Sequence, residues 1–189
     1  MQVETVDYKA ADASTTLARS LRDTGFAVLA NHPITPDRIT EIYDGWGDFF
    51  AGKDKFDYAV QPPAHDGYFA FRSENAKDSP VKDLKEFFHV YPGCGLPAEL
   101  TEMTRQIYAD LNALGCELLA WIQVEAPASV TESLSMPLDT MMDDSEQSLL
   151  RILHYPPVSD AEPGAIRAAA HEDINLITLL LSGSKPGLQ

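Results

Sequence analysis

Two stretches decide the fold: Leu150-Arg151-Ile152-Leu153-His154-Tyr155-Pro156-Pro157 and His171-Glu172-Asp173-Ile174-Asn175-Leu176-Ile177-Thr178-Leu179-Leu180-Leu181. The first has strand length and composition, and the Pro-Pro pair, lacking backbone N–H groups, stops it. The second, with the preceding alanines, reads as a strand, a bend and a further strand over 174–181, separated from the first by the loop 159–166. On extended backbone, side chains at i and i+2 share a face. His171 and Asp173 are therefore expected to converge while Glu172 points away.

Upstream, helical patterns dominate. Residues 14–23 read as a short helix with Ser14 as a cap and Gly25 as its stop. A short apolar run, Phe26 to Ala30, precedes Pro33 and Pro36. Residues 36–50 place Ile39, Ile42, Trp46 and Phe49 or Phe50 on one helical face. From 51 to 80, Gly, Pro, Asp and Asn predict a long irregular connection. Residues 84–91 regain strand character around Phe87, Phe88 and Val90. Residues 98–124 hold the longest i, i+3, i+4 rhythm, and 130–142 fit a shorter helix. Helices come first and strands last, which predicts an α+β arrangement or a β-core with a helical jacket. The expected division is an N-terminal helical region over 1–145 and the first strands of the core over 146–189, within one continuous domain.

Composition narrows the function classes. Apolar residues at 44% and charged residues at 23% are ordinary for a globular chain and exclude a disordered one. No apolar run approaches the ~20 residues of a membrane span, and the N-terminus lacks signal-peptide character. A net charge of -15 repels polyanions, so neither nucleic acid nor an anionic membrane is an expected partner. Cys94 and Cys116 form no disulfide framework, and Cys116 sits in an apolar helical pattern as a small core residue. The setting expected from this is reducing and cytoplasmic.

The chemistry rests on His171 and Asp173. An imidazole and a carboxylate side by side supply two of the three ligands of a 2-His-1-carboxylate site, whose three open positions admit co-substrate and oxygen. Alone, His-x-Asp is a common tripeptide, and a His beside acidic residues is more often a surface ion pair. Its flanks change the weight. Tyr155-Pro156, then His171, Asp173, Ile177-Thr178-Leu179-Leu180 and Gly187-Leu188-Gln189, resemble in order the isopenicillin N synthase-like Fe(II)/2-oxoglutarate-dependent dioxygenases. "LRDTGFAVLANHPI" (21–34), "DGYFAF" (66–71) and "DLKEFFHV" (83–90) resemble segments of the same family.

The resemblance implies a double-stranded β-helix (jelly roll) core with N-terminal helices packed outside it. It implies Fe(II) held by His171 and Asp173, 2-oxoglutarate as co-substrate, a small-molecule organic substrate, and O2 consumed as succinate and carbon dioxide form. Tyr155 matches a position whose hydroxyl contacts the co-substrate carboxylate; a packed aromatic at a strand end is the equal alternative. Arg151, Leu153 and Tyr155 share a strand face, with His154 on the other. His32 is expected to hydrogen-bond locally after its strand. His65 and His89 are expected in structural or surface roles.

The pattern is incomplete. The family's second His and its Arg-x-Ser pair lie beyond the Asp, and no His follows His171 here. The expectation is that the natural polypeptide continues past Gln189, and that these 189 residues alone fall short of an active oxygenase. Two alternatives stay open: an iron oxidase that does without 2-oxoglutarate, and a non-catalytic fragment or binding module that keeps only the fold. A zinc hydrolase has no His-Glu-x-x-His or paired cysteines to support it.

Overall fold

The structure is a computed structural model that describes residues 2–74, 82–158, 167–168, 171, 173 and 175–185. They fall into two compact units. The first takes residues from 1–39, 106–145 and 179–181, and the second from 40–105, 146–178 and 182–189. Expectations for Glu172, Ile174, the loop 159–166 and Gly187-Leu188-Gln189 lie outside the described residues.

In the first unit, β1 (Thr5–Asp7) pairs in parallel with β2 (Val28–Ala30), and α1 (Ala13–Thr24) connects them. Gly25 ends α1 in the left-handed region at φ 78°, where its N–H reaches the Leu21 carbonyl at 2.8 Å. Ser14 does not cap this helix: its hydroxyl donates to Glu125, as does that of Thr15. Val6, Leu17, Ile107, Leu114, Leu118 and Leu119 are buried, the last four on α3 (Thr101–Glu125). The expected helix at 98–124 thus starts as a 3-10 turn at Ala98–Leu100 and turns α-helical at Thr101. The expected helix at 130–142 is two short pieces, α4 (Ala128–Thr131) and a 3-10 turn at Asp139–Met142. Pro137 between them has no N–H to donate, which breaks the pattern. Cys116 is half-buried, less enclosed than expected, and both cysteines are free thiols.

The second unit holds the three-stranded sheet. Antiparallel strands run in the order β3 (Gly67–Phe69), β4 (Glu86–Val90), β5 (Leu150–His154). Every residue of β4 is buried. The register pairs Tyr68 with Phe88 and Phe88 with Ile152, so these share one face with Glu86 and His154. That face meets α2 (Pro36–Ala51). Ring centroids of Trp46 and Phe88 lie 5.0 Å apart, and Phe50 stacks on His154 at 5.1 Å. The buried Trp46 indole donates to Thr104 Oγ1 at 3.0 Å. β3 was unforeseen, because the 51–80 stretch lacks apolar periodicity. It also contains a 3-10 helix at Asp54–Tyr58. Gly67 is required there: at φ 106°, an added Cβ would sit 2.6 Å from the Tyr58 carbonyl oxygen.

The described residues of the expected strand 174–181 join no sheet. A strand exists through its ladder, and none of the described residues supplies one here. Instead, the Asn175 amide donates to the Ile177 carbonyl at 2.6 Å and to Thr178 Oγ1 at 3.0 Å, a local alternative to sheet bonding. The α+β mixture is present, with a two-stranded and a three-stranded sheet rather than a roll among the described residues.

Between α2 and the sheet lies a carboxylate that is 4% exposed. Glu86 Oε2 accepts from the Tyr68 hydroxyl at 2.5 Å and from Lys55 Nζ at 3.0 Å, and Oε1 meets His154 Nδ1 at 2.7 Å. A carboxylate only accepts, so His154 Nδ1 carries the hydrogen. Burial pushes the Glu86 carboxyl up, but bonds from Tyr68, His154 and Lys55 outweigh it and hold it below the ordinary value of 4.5.

Three outcomes follow. Phe88→Ala should destabilise the fold by about 3–5 kcal/mol in urea unfolding, the range for truncating a buried Phe. Lys55→Met leaves the Glu86 charge short of a partner and should cost about 3–5 kcal/mol at neutral pH. Because the folded-state value is depressed, the Glu86 contribution is complete above the unfolded value of 4.5 and fades as pH falls through the folded one. Stability measured against pH should therefore fall less steeply on the acid side in Glu86→Gln than in the parent.

Candidate active site

The second face of the β3-β4-β5 sheet carries Phe69, Phe87, His89, Arg151 and Leu153, with Lys85 and Tyr155 continuing the alternation just outside the strands. His89 is 7% exposed, its ring 4.6 Å from that of Phe69 and 4.8 Å from that of Phe87. Arg151 Nε donates to His89 Nε2 at 2.8 Å. A guanidinium has no acceptor, so Nε2 is bare and Nδ1 carries the hydrogen that goes to the His65 carbonyl, 3.0 Å away. Burial first, and then the Arg151 charge, push the His89 value down to about 4, so the ring is neutral near pH 7.

Arg151 also lies over the Phe87 ring at 4.9 Å, and its Nη1 is 3.5 Å from Glu74 Oε2. Lys85 is paired more closely, at 2.9 Å to Glu74 and 3.0 Å to Asp83. Desolvation pulls the Lys85 ammonium down, yet Glu74 and Asp83 together lift it above its usual value. Tyr155 follows the last residue of β5. Burial pushes its phenol up, while the charges of Lys85, Arg151 and Arg167 work the other way. Arg167 Nη1 donates to the carbonyls of Tyr155 at 3.1 Å and Pro156 at 3.3 Å. Tyr155 and Arg151 thus share a surface, and His154 is turned to the Glu86 side, as strand alternation predicts.

His171 and Asp173 do converge. Their Nε2 and Oδ1 atoms lie 3.5 Å apart. The other carboxylate oxygen, Oδ2, accepts from the Thr178 hydroxyl at 2.5 Å. Both side chains are about half exposed, 54% and 50%, rather than enclosed in a barrel. An imidazole nitrogen beside a carboxylate oxygen is a donor set suited to a divalent first-row metal. Among the described residues, no group of three or more His, Cys, Asp or Glu side chains could hold a metal. His32 does not follow its expected role: its Nδ1 is buried with no hydrogen-bond partner among the described residues. His65 serves through its backbone carbonyl.

Sequence reasoning missed Lys85 and Arg167 as neighbours of Tyr155, and His89 as the partner of Arg151. Lys85 and His89 became visible only with the β4–β5 register, which pairs His89 with Arg151. Arg167 reaches the Tyr155 carbonyl from 12 residues further along the chain, and no spacing rule points to it.

Residues 3–107 match the family described as non-haem dioxygenase in morphine synthesis N-terminal. The chain is 30% identical to proline hydroxylase buaE of Petromyces alliaceus over 92% of its own length and 59% of that protein's. It superposes on a Shewanella oneidensis protein designated an oxygenase with a TM-score of 0.82 and 45% identity, covering 93% of this chain and 63% of that one. A Caulobacter crescentus protein assigned to the 2OG-Fe(II) oxygenase family gives a TM-score of 0.68 and 30% identity, covering 92% and 61%. The chain therefore spans about three-fifths of the length of the relatives it matches. With residues 3–107, more than half of its length, matched by the family and these structures superposing on it, the chain belongs to the non-haem dioxygenase family.

Proposed function

We propose that this chain contributes the N-terminal helices and the first part of the jelly-roll core to an Fe(II)/2-oxoglutarate-dependent dioxygenase of a small organic substrate. The observation that carries the reading is the 3.5 Å approach of His171 Nε2 to Asp173 Oδ1, two donors of the right chemistry on a family background. In this reading His171 and Asp173 hold the iron and Tyr155 meets the 2-oxoglutarate carboxylate. The third iron ligand is not assigned within the chain. When bound, iron and 2-oxoglutarate supply oxygen activation coupled to oxidative decarboxylation, which the protein's own side chains cannot perform.

The residues themselves orient and hold. Thr178 fixes one oxygen of Asp173, which leaves the other directed toward His171. Tyr155, held protonated by its burial, offers an O–H donor to a carboxylate. The rings of Phe69 and Phe87, stacked at 4.6 Å, give that surface an apolar side. The free thiols of Cys94 and Cys116 fit a reducing, cytoplasmic setting. No helix among the described residues is long and apolar enough to cross a membrane.

Titration of the purified chain with Mn(II), a redox-silent substitute, followed by the loss of free-ion electron paramagnetic resonance signal, checks the metal assignment. His171→Ala and Asp173→Ala should each weaken binding by at least about tenfold, and Thr178→Val by about tenfold or less through its effect on Asp173. Equal binding in all four proteins would remove this pair from the site. Iron-dependent release of succinate from 2-oxoglutarate, assayed on the polypeptide that contains this chain, should separate the dioxygenase from an iron oxidase that ignores 2-oxoglutarate.

A further inference from the structure

We propose that Arg151, aimed by His89, is the receptor for a carboxylate on the organic substrate. The inference rests on the oxygenase reading for its setting, and on the geometry of the sheet's second face for its content.

Among the described residues, three cations, Lys85, Arg151 and Arg167, surround Tyr155 or its flank, against two carboxylates, Asp83 and Glu74. This local excess of positive charge stands on a chain whose net charge is -15. The three cations are not equally committed. Lys85 holds both carboxylates at 2.9 and 3.0 Å, and Arg167 spends Nη1 on two backbone carbonyls. Arg151 is fixed by groups that leave its charge intact: a neutral imidazole at 2.8 Å and the face of Phe87 at 4.9 Å. Among the described residues its carboxylate partner, Glu74, is 3.5 Å away and sits nearer to Lys85. A guanidinium locked at Nε and backed by an aromatic ring keeps an in-plane edge for a planar anion. Its side chain is one-third exposed, so that edge is within reach of a small ligand.

His89 is the unusual expenditure. A buried imidazole satisfied by a backbone carbonyl on one side and a guanidinium on the other has no role in the Glu86 cluster across the sheet. What it does is set the rotation of Arg151, and we assign it as a positioning residue. The substrate class is a small molecule with a carboxylate and an apolar body, the carboxylate on Arg151 and the body against Leu153, which is 37% exposed on the same face.

The test is nuclear magnetic resonance of the arginine Nε–H signals in nitrogen-15-labelled chain, with the Arg151 signal assigned by its loss in Arg151→Lys. Acetate, benzoate and L-proline are titrated as carboxylate probes, with acetamide, benzamide and L-prolinamide as controls and 2-oxoglutarate as a separate arm. At least one acid should move the Arg151 signal saturably while its amide does not. Arg151→Lys should weaken that acid about tenfold to a hundredfold, since an ammonium lacks the planar fork. His89→Phe should weaken it about tenfold by freeing the guanidinium, and His89→Gln, which keeps an acceptor, should restore much of it. A silent Arg151 signal, equal response to acids and amides, or response to 2-oxoglutarate alone would overturn the proposal. An unchanged amide spectrum confirms that each variant is folded. Mn(II) binding at His171 and Asp173, measured on the same samples, shows whether the iron reading stands or falls separately.

Discussion

The pairing of β4 between β3 and β5 is the constraint from which the second unit follows. Five consecutive buried residues with a partner on both edges leave no freedom of register, since a slip of one would exchange the faces. Phe88 and Glu86 go to the α2 side, and Phe87 and His89 to the other. Once α2 has covered the first face with Trp46, Phe49 and Phe50, ligand chemistry is left to the second. Tyr155 enters the candidate site because it continues the alternation of Arg151 and Leu153.

The two faces treat charge differently. On the α2 side, Glu86 is enclosed and its oxygens are matched by Tyr68, Lys55 and His154, so the cluster is closed and structural. Buried charge is tolerable only when so completely partnered. On the other face, Glu74 is shared between Lys85 and Arg151, and the phenol of Tyr155 stands among cations. Polar groups held in place but not consumed are what a binding surface requires.

Much of this was legible in the residues. Ile42, Trp46 and Phe50 repeat at helical spacing, and Gly25 marks the end of α1, so both helices were readable within a residue or two. The approach of His171 and Asp173 was anticipated from their i, i+2 spacing, and their Nε2 and Oδ1 atoms lie 3.5 Å apart. β3 was hidden: three residues starting with a glycine carry no periodicity, and Gly67 is there for its φ and for close backbone approach. The apolar run after Asp173 misled for the opposite reason. Its composition favours a strand, but a strand needs a neighbour, and Asn175 bonds locally instead. The His89–Arg151 bond joins residues 62 apart, and only the sheet register could reveal it.

Family membership and the adjacency of one imidazole and one carboxylate meet at residues 171 and 173. A crystal structure of the Mn(II)-loaded protein, with an anomalous difference map at the manganese edge, addresses that meeting point directly. The account predicts a peak within bonding distance of both His171 Nε2 and an oxygen of Asp173, on the same ion. A peak held by other side chains, or the two residues pointing apart with the ion elsewhere, would contradict it.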